Sequence, residues 1–236
     1  YNANVVGTYN KMFKDKSLVS LSAGWEINHN KNRSETTEAI GFFNDKLSFI
    51  GNAAGYPSDR QPSGSQGETA TVGTFVTGNY SFRNRYFVDA TWRTTGSSQF
   101  GENNRWGNFW SAGTGWNVLN EKFMKDIKKH FDILKVRYSM GYTGKVTFSP
   151  YQAMTMYKYL NTYEYKNGIG AVPLTVGNID LAWERTMNYN VGLDLSMFDH
   201  RLNIVVDALI RRTPGLLLDQ SLPPSTGVTT ATANLG

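Results

Sequence analysis

The chain has 236 residues, with no cysteine, 40% hydrophobic and 14% aromatic residues, and a formal net charge of +5 at pH 7. Without cysteine it can form neither a disulfide framework nor a thiolate metal site. No apolar run approaches the ~20 residues of a membrane-spanning helix, but membrane-spanning strands need only about 10 alternating residues. The excess positive charge falls at short connections between strands. That position indicates solvated turns, or a basic rim near anionic lipid headgroups, and argues against a nucleic-acid surface.

The N-terminal quarter predicts two strands followed by a long polar segment. A short strand is expected over Tyr1–Tyr9, and a charged turn over Asn10–Lys16. In Ser17–His29 apolar and polar residues alternate with the period of a strand. The polar segment Asn30–Gly67 follows, and its apolar piece Phe42–Ile50 could be helical or not, because periodicity does not decide it.

The next part predicts three strands. Glu68–Phe82 is a strand that ends at the tight connection Arg83–Arg85, and the alternating strand Tyr86–Arg93 follows directly. Thr94–Arg105 is a polar, glycine-bearing loop, and Trp106–Val118 is an aromatic-rich strand.

A short helix is expected over Leu119–His130. Asn120 is placed to cap it, Leu119 and Met124 are placed as a hydrophobic staple, and its last residues, Lys128, Lys129 and His130, suit the helix dipole.

The remaining elements are a strand, a loop and a hairpin. They are predicted in chain order as the strand Phe131–Gly141, the long polar segment Tyr142–Glu184, the strand Arg185–Phe198, the two-residue turn Asp199–His200, the strand Arg201–Arg212 and the loop-like tail Thr213–Gly236.

About eight strands are predicted, and the connections between them alternate between short and long. This alternation is typical of outer-membrane barrels with short periplasmic turns and long extracellular loops. The fold class is therefore all-β, an antiparallel transmembrane β-barrel segment. The side chains expected to face inward include Asn190, Asp194, Asp207 and Arg137, which are too hydrated for the packed interior of a small barrel. We therefore expect part of a wider barrel, with a channel or a plugged lumen, and a chain that does not close on itself; about 22 strands is typical of plugged barrels. The alternative is a soluble or adhesive β-sandwich, or a small self-contained eight-stranded barrel, with a structural or binding role.

Several segments, in order, carry a resemblance to a known family. Arg93–Gly101, Asn103–Gly107, Trp116 and Asn120–Met124 are similar to the barrel signature of the SusC/RagA family of TonB-dependent outer-membrane transporters of Bacteroidota. Later segments resemble the strands that follow in that family; they are Leu134–Gly144, Leu181–Thr186 and Asn190–Asp194. Trp110 departs from the family, which is expected to favour a Phe-Pro pair there.

The resemblance implies a function and a setting. It implies a nutrient importer in the cell outer membrane that takes up oligosaccharides or peptides in a TonB-dependent manner. A SusD-like surface lipoprotein would cover its extracellular mouth. Residues 1–236 would form part of one barrel domain, and the plug domain, the TonB box and the C-terminal strands would be absent from this chain. TonB would act through that plug.

No catalytic, metal or cofactor site is predicted, so an enzyme is not expected. His29, His130 and His200 are far apart in sequence and have no metal-type spacing. The carboxylates Asp89, Asp194 and Asp207 lie on polar strand faces, which a wet lumen explains without chemistry. The glycines of the 94–107 region lack the Lys-Ser or Lys-Thr of a phosphate-binding loop.

Aromatic residues fall into two groups. Those near strand ends favour girdles at the membrane interfaces; they are Tyr9, Trp25, Tyr80, Phe82, Tyr86, Trp92, Trp106, Trp110, Trp116, Tyr138 and Tyr189. Those in the long loops are candidates for contact with a ligand or partner, or for packing within the loops; they are Tyr56, Tyr151, Tyr157, Tyr163 and Trp183.

Overall fold

The computed structural model describes residues 1–14, 16–146, 148–166 and 168–235, without the side chains of 161–165. Strands dominate it. In chain order they are β1 (Asn2–Met12), β2 (Ser17–Thr36), β3 (Ile40–Phe42), β4 (Ala53–Gly55), β5 (Ser63–Phe82), β6 (Tyr86–Ser97), β7 (Trp106–Asn117), β8 (Phe131–Lys145), β9 (Met156–Tyr165), β10 (Gly168–Thr175), β11 (Glu184–Met197), β12 (Leu202–Arg212), β13 (Leu216–Ser221) and β14 (Thr230–Leu235). Short 3-10 turns occur at Ile50–Asn52, Glu102–Asn104, Val118–Asn120, Lys122–Met124, Ile127–Lys129 and Pro224–Thr226.

Eight strands form one antiparallel sheet in the order β1-β2-β5-β6-β7-β8-β11-β12. Each of the six inner strands therefore pairs with the sheet strand before it and the sheet strand after it in the chain. The outermost strands β1 and β12 do not pair with each other in the described part of the chain. The prediction of an all-β barrel segment that does not close on itself is confirmed. The described residues form neither a two-sheet sandwich nor a closed eight-stranded barrel.

The pairing register places apolar and polar residues on opposite faces of the sheet, because successive side chains of a strand alternate in direction. In the last hairpin Leu193 lies opposite Val206, and Gly192 lies opposite Asp207. The same alternation continues across β6 and β7, where Trp92 lies opposite Trp110. The sheet therefore has one mainly apolar face and one mainly polar face.

The short connections all lie at one end of the sheet, which we call the turn end. They join β1 to β2, β5 to β6, β7 to β8 and β11 to β12. The tightest of them use a left-handed backbone: Arg83 and Asn84 have φ of 51° and 54°, and Asp199 and His200 have φ of 54° and 62°. Positive φ at successive residues suits the twist of a hairpin, which explains why these connections can be so short.

The connection between β7 and β8 is not the single helix expected over residues 119–130. It contains three separate 3-10 turns, because Glu121 has an extended backbone with φ −77° and ψ 154° between the first two of them. Asn120 caps nothing; its side-chain amide donates a hydrogen bond of 2.8 Å to the carbonyl of Asn84. Leu119 and Met124 are both buried. The segment is thus shaped by contacts with the neighbouring turn and not by helix propensity.

The opposite end, which we call the loop end, is more ordered than the sequence predicts. β2 and β5 continue pairing as far as Thr36 opposite Ser63, well past the predicted boundaries at His29 and Glu68. The extension is polar on both faces, so hydrophobic periodicity could not reveal it. β6 and β8 likewise run on to Ser97 and Lys145.

Each of three loop-end segments contains a small hairpin. The undecided piece at Phe42–Ile50 begins at the end of β3, which pairs with β4, and it has no helix beyond the 3-10 turn that begins at Ile50. β9 pairs with β10 inside the 142–184 segment. The prediction of a loop-like tail after Arg212 is wrong, because β13 pairs with β14 from Leu216 opposite Leu235 to Ser221 opposite Thr230.

Candidate functional site

Aromatic residues mark two levels on the apolar face of the sheet. Towards the turn end Tyr86 lies opposite Trp116, and its ring stacks on that of Phe82 at 6.4 Å. Towards the loop end Trp110 packs edge-on to Tyr142 at 6.0 Å, and Trp106 begins β7. Trp106 and Trp116 are ten residues apart on one strand, which is about 33 Å along the strand and roughly 25 Å across a membrane at a tilt of ~40°. This is the height of the apolar band of a membrane barrel.

The polar face carries a three-membered ion network near the turn end. The Arg137 guanidinium donates two hydrogen bonds to the Asp194 carboxylate, at 2.9 Å from Nε and 2.7 Å from Nη2. Nη2 also lies 3.2 Å from Asp207 Oδ1. Between them stands Gly192, where an added Cβ would lie 2.6 Å from the Asp207 carboxylate and 2.8 Å from the guanidinium. The missing side chain is what lets Arg137 reach across β11 to β12.

A second ion pair repeats this design on the other half of the sheet. Arg93 on β6 bonds the Glu26 carboxylate on β2, crossing the intervening strand β5. It crosses at Gly73, where an added Cβ would lie 3.3 Å from the guanidinium. The Arg93 Nε also donates to the Thr95 hydroxyl at 2.8 Å. Both networks therefore use a glycine on a central strand to join the two strands beside it.

The carboxylates that sequence reasoning could not pair are brought together by a shared arginine. Asp194 and Asp207 both bond Arg137, and this arrangement holds two ionised carboxylates without leaving either unpaired. Asp89 lies elsewhere, over Gly113 on the neighbouring strand. The register of the last hairpin, with Gly192 opposite Asp207, was the signal that could have revealed the network.

A buried aromatic cluster joins the loop end to the polar face. The Trp183 ring stacks on Phe100 at 4.1 Å and meets Phe109 edge-on at 5.3 Å. Phe148 packs edge-on against Phe100 at 5.1 Å. The Trp183 indole donates a hydrogen bond of 3.2 Å to the carbonyl of Arg105, so its polar atom is also satisfied. This cluster fixes the loop between β6 and β7 to the segment that precedes β11.

An open cavity of about 430 Å³ lies beside this cluster. Its walls combine aromatic rings, small hydroxyl side chains and one guanidinium; they include Phe109, Trp183, Thr91, Ser111, Thr143 and Arg93. Flat apolar surfaces beside hydroxyls and a cation can contact a sugar or a peptide without any covalent chemistry.

The loop aromatics predicted to touch a ligand or partner differ in their exposure. Trp183 is only 9% exposed and belongs to the buried cluster, whereas Tyr157 on β9 is 64% exposed. Tyr56 is also exposed, and Tyr151 is half-buried with a positive φ of 71°. The Tyr163 side chain lies outside the described residues. The structure therefore assigns packing to Trp183 and leaves Tyr56 and Tyr157 available on the surface.

The three histidines lie apart in the fold. His29 Nε2 is 2.7 Å from the Glu68 carboxylate, and His200 Nδ1 is 2.9 Å from the Ser196 hydroxyl. The described part of the chain contains no group of three or more such side chains that could hold a metal ion. Among these same residues no helix is long and apolar enough to cross a membrane.

Comparison with known proteins gives the same architecture. Residues 2–236 match the family described as TonB dependent receptor-like, beta-barrel. A TonB-dependent receptor of Formosa agariphila is 34% identical over 229 residues, which are 97% of this chain and 22% of that protein. The TonB-dependent receptor SusC of Bacteroides thetaiotaomicron is 33% identical over 169 residues, 67% of this chain and 16% of that protein.

A solved structure is similar in both fold and sequence. The structure of the RagAB peptide transporter superposes with a TM-score of 0.86 and 26% identity, covering 99% of this chain and 25% of that one. The chain thus spans about a quarter or less of the length of the relatives it matches. With its open eight-stranded sheet, its polar and apolar faces and its alternating connections, the chain belongs to the TonB-dependent receptor family, as part of the β-barrel.

Proposed function

We propose that this chain forms part of the wall of an outer-membrane importer that takes up oligosaccharides or peptides by a TonB-dependent mechanism. The observation that carries the proposal is the two-faced sheet, whose polar side chains are joined by ion pairs across its strands. A wall of this kind suits a wide, hydrated lumen that is bounded by lipid on the other side. No covalent step is needed for that role.

The cavity beside the aromatic cluster supports the cargo class. Arg93, Thr91 and Ser111 offer hydrogen bonds next to the ring of Phe109. Sugars stack on aromatic rings and bond hydroxyls, and peptides offer carboxylates and carbonyls to a guanidinium. The solved relative is a peptide transporter, which favours peptides, while the cavity itself accommodates either class.

A SusD-like surface lipoprotein is the proposed partner, and the loop end is its proposed contact surface. Large apolar side chains are exposed there without cover from this chain, among them Phe43, Phe49, Tyr56 and Tyr157. Exposed apolar patches of this kind mark interaction surfaces. Energy would enter from TonB through a plug domain encoded outside these residues.

The test uses the full-length transporter in its own outer membrane. A photo-crosslinking amino acid is placed at Tyr56, Tyr157 or Tyr163 in the loops, and at Asn84 or His200 in the turns as matched controls. We expect adducts with a co-purifying lipoprotein from the loop positions only. Adducts confined to Asn84 and His200 would contradict the assignment of the partner to the loop end.

Uptake tests the cargo separately. Arg93→Gln removes the cation from the cavity wall, and Arg211→Gln removes one from the same polar face away from the cavity. We expect the first to slow uptake of a labelled oligopeptide or oligosaccharide mixture while the second does not. Equal uptake by both variants and the unaltered transporter would show that the cavity takes no part in transport.

A further inference from the structure

Three of the short connections meet in a basic pocket at the turn end. Lys14, Lys16, Arg83, Arg85 and Asn120 line a cavity of about 530 Å³. The backbone amide of Arg83 donates to the Lys16 carbonyl at 3.2 Å, which ties the first turn to the second. The bond from Asn120 to the Asn84 carbonyl ties the third connection to the same place. The pocket is therefore assembled from elements far apart in sequence, with a fixed backbone.

Most of the positive charge in this pocket is uncommitted. Arg85 is 3.5 Å from the Glu121 carboxylate. Among the described residues, Lys14, Lys16 and Arg83 have no carboxylate within ion-pair distance. Counting Glu121 and also Asp15, which lies outside the described residues, four basic groups against two acidic ones leave a charge of +2.

An apolar groove opens beside the pocket on the lipid-facing side. It has a volume of about 650 Å³ and is lined by Phe13, Lys14, Ser17, Val19 and Tyr80. Val19 and Tyr80 are register partners on the apolar face, and Lys14 lines both the groove and the basic pocket. The Arg83 guanidinium lies 5.0 Å from the centre of the Phe82 ring, which belongs to the aromatic level towards the turn end. The charged pocket and the apolar groove are thus two parts of one continuous surface.

We propose that this surface binds an anionic glycerophospholipid of the leaflet at the turn end. The phosphate occupies the pocket formed by Lys14, Lys16 and Arg83, and an acyl chain lies along the groove over Val19 and Tyr80. Basic pockets at a membrane boundary recognise anionic headgroups, and each nearby cation contributes measurably. A soluble anion would satisfy the cations but would leave the adjoining groove without a ligand. The inference needs only the membrane-spanning fold, so it stands apart from the proposed cargo and partner.

The test measures lipid retention by the purified full-length transporter. Native mass spectrometry in detergent compares phosphatidylglycerol with zwitterionic phosphatidylethanolamine, each added at equal concentration. We expect preferential retention of phosphatidylglycerol by the unaltered protein. The double variant Lys16→Gln and Arg83→Gln should lose roughly tenfold or more of that affinity, because it removes two of the cations. Binding of phosphatidylethanolamine should stay unchanged.

Matched controls separate a site from general charge. The control variant Lys125→Gln with Lys129→Gln removes the same charge from the same end of the barrel, and neither residue lines the pocket or the groove. It should bind phosphatidylglycerol within about twofold of the unaltered protein, because screened charges outside a site contribute little. Lys16→Arg should bind as the unaltered protein does. An equal loss in the control pair, or no loss in the pocket pair, would overturn the proposal. Full displacement of the lipid by millimolar inorganic phosphate would also overturn it, since it would show a simple anion site.

Discussion

The turn end and the loop end of this sheet are held together by different means. At the turn end each hairpin closes locally through left-handed residues such as Asn84 and Asp199, and the closed turns then bond neighbouring connections, as in the bond from Asn120 to the carbonyl of Asn84. At the loop end the decisive contacts join distant parts of the chain. The Trp183 indole bonds the carbonyl of Arg105, 78 residues away, and the Asn234 amide bonds the carbonyl of Ala182, 52 residues away.

This difference matches what each end presents to its surroundings. The short connections fix their own backbone and leave basic side chains, such as Lys16 and Arg83, without an ion pair among the described residues. The long connections must first hold one another in place before they can present a surface. The hydrogen bonds between the segment before β11 and the β13–β14 hairpin show how this is done, with Asn178 donating to Thr232 and Asn234 to Ala182.

Removing the Trp183 side chain should have the largest effect on the difference between the two ends, because it loosens the loop end while leaving the turn end intact. Truncation of a buried tryptophan costs about 3–5 kcal/mol in a packed core. In Trp183→Ala we expect that loss to appear as faster amide exchange in residues 100–104 and 178–182 of the full-length receptor, measured by hydrogen–deuterium exchange. Tyr157→Ala, at a residue that is 64% exposed, is the control and should leave exchange in both segments unchanged. Slow exchange in both variants would mean that the cluster does not hold the loops.

The two faces of β12 offer the next test, with neighbouring residues of one type. Val206 and Val205 are 55% and 64% exposed on the apolar and the polar face of the sheet. An arginine near the bilayer midplane costs about 2–4 kcal/mol on the lipid side and little on the lumen side. Val206→Arg should therefore lower the yield of folded, heat-modifiable full-length receptor in the outer membrane, and Val205→Arg should not. Equal yields would mean that this strand does not face lipid as the register indicates.

The sequence alone predicted the long strands of the sheet and the order of their connections. Alternation over Arg185–Phe198 and Arg201–Arg212 placed β11 and β12 to within a few residues, because one face of each strand must be apolar. The alternation of short and long connections predicted an antiparallel β-barrel segment. The first prediction rests on patterns within about ten residues and the second on the lengths of successive connections, and both are confirmed.

What the sequence could not show depends on contacts between distant segments. The polar extension of β2 to Thr36 has no periodicity to reveal it, since its strands meet water on both faces. The expected helix at 119–130 is replaced by 3-10 turns because Glu121 is held by side chains from the neighbouring strands. The role of Trp183 in packing follows from its contact with Phe100, 83 positions earlier, which no local pattern predicts.

The arginine that joins β8 to β12 should stabilise the wall by a smaller amount. Arg137→Met leaves Asp194 and Asp207 without their shared partner. The network is about one-third exposed at Arg137, so we expect a loss of only about 1–2 kcal/mol, visible as a lower urea midpoint of the full-length receptor. Adding Asp194→Asn and Asp207→Asn should recover much of it by removing the repulsion. Arg211→Met, which removes a cation with no ion pair among the described residues, is the matched control.

The smallest expected effect concerns Glu121, which anchors the β7–β8 connection to the turn end. The Tyr86 hydroxyl and the Trp116 indole donate hydrogen bonds to its carboxylate at 2.6 and 3.2 Å. These bonds, chiefly that from Tyr86, with Arg85 nearby, hold the pKa of the Glu121 carboxyl below its ordinary value. A depressed pKa means that the ionised form stabilises the folded connection above the unfolded-state pKa, and that this contribution is lost as the pH falls through the folded-state pKa.

Glu121→Gln should therefore speed amide exchange in residues 118–130 at neutral pH, with the difference from the unaltered receptor shrinking in acid once the native carboxyl is protonated. Asp126→Asn is the control, because it lies in the same connection and forms no ion pair in the described part of the chain. A difference between Glu121→Gln and the unaltered receptor that stays constant from neutral to acid pH would show that the carboxylate charge plays no part. The connection would then be held by Leu119 and Met124 packing alone, which would bring this corner of the turn end closer in kind to the loop end.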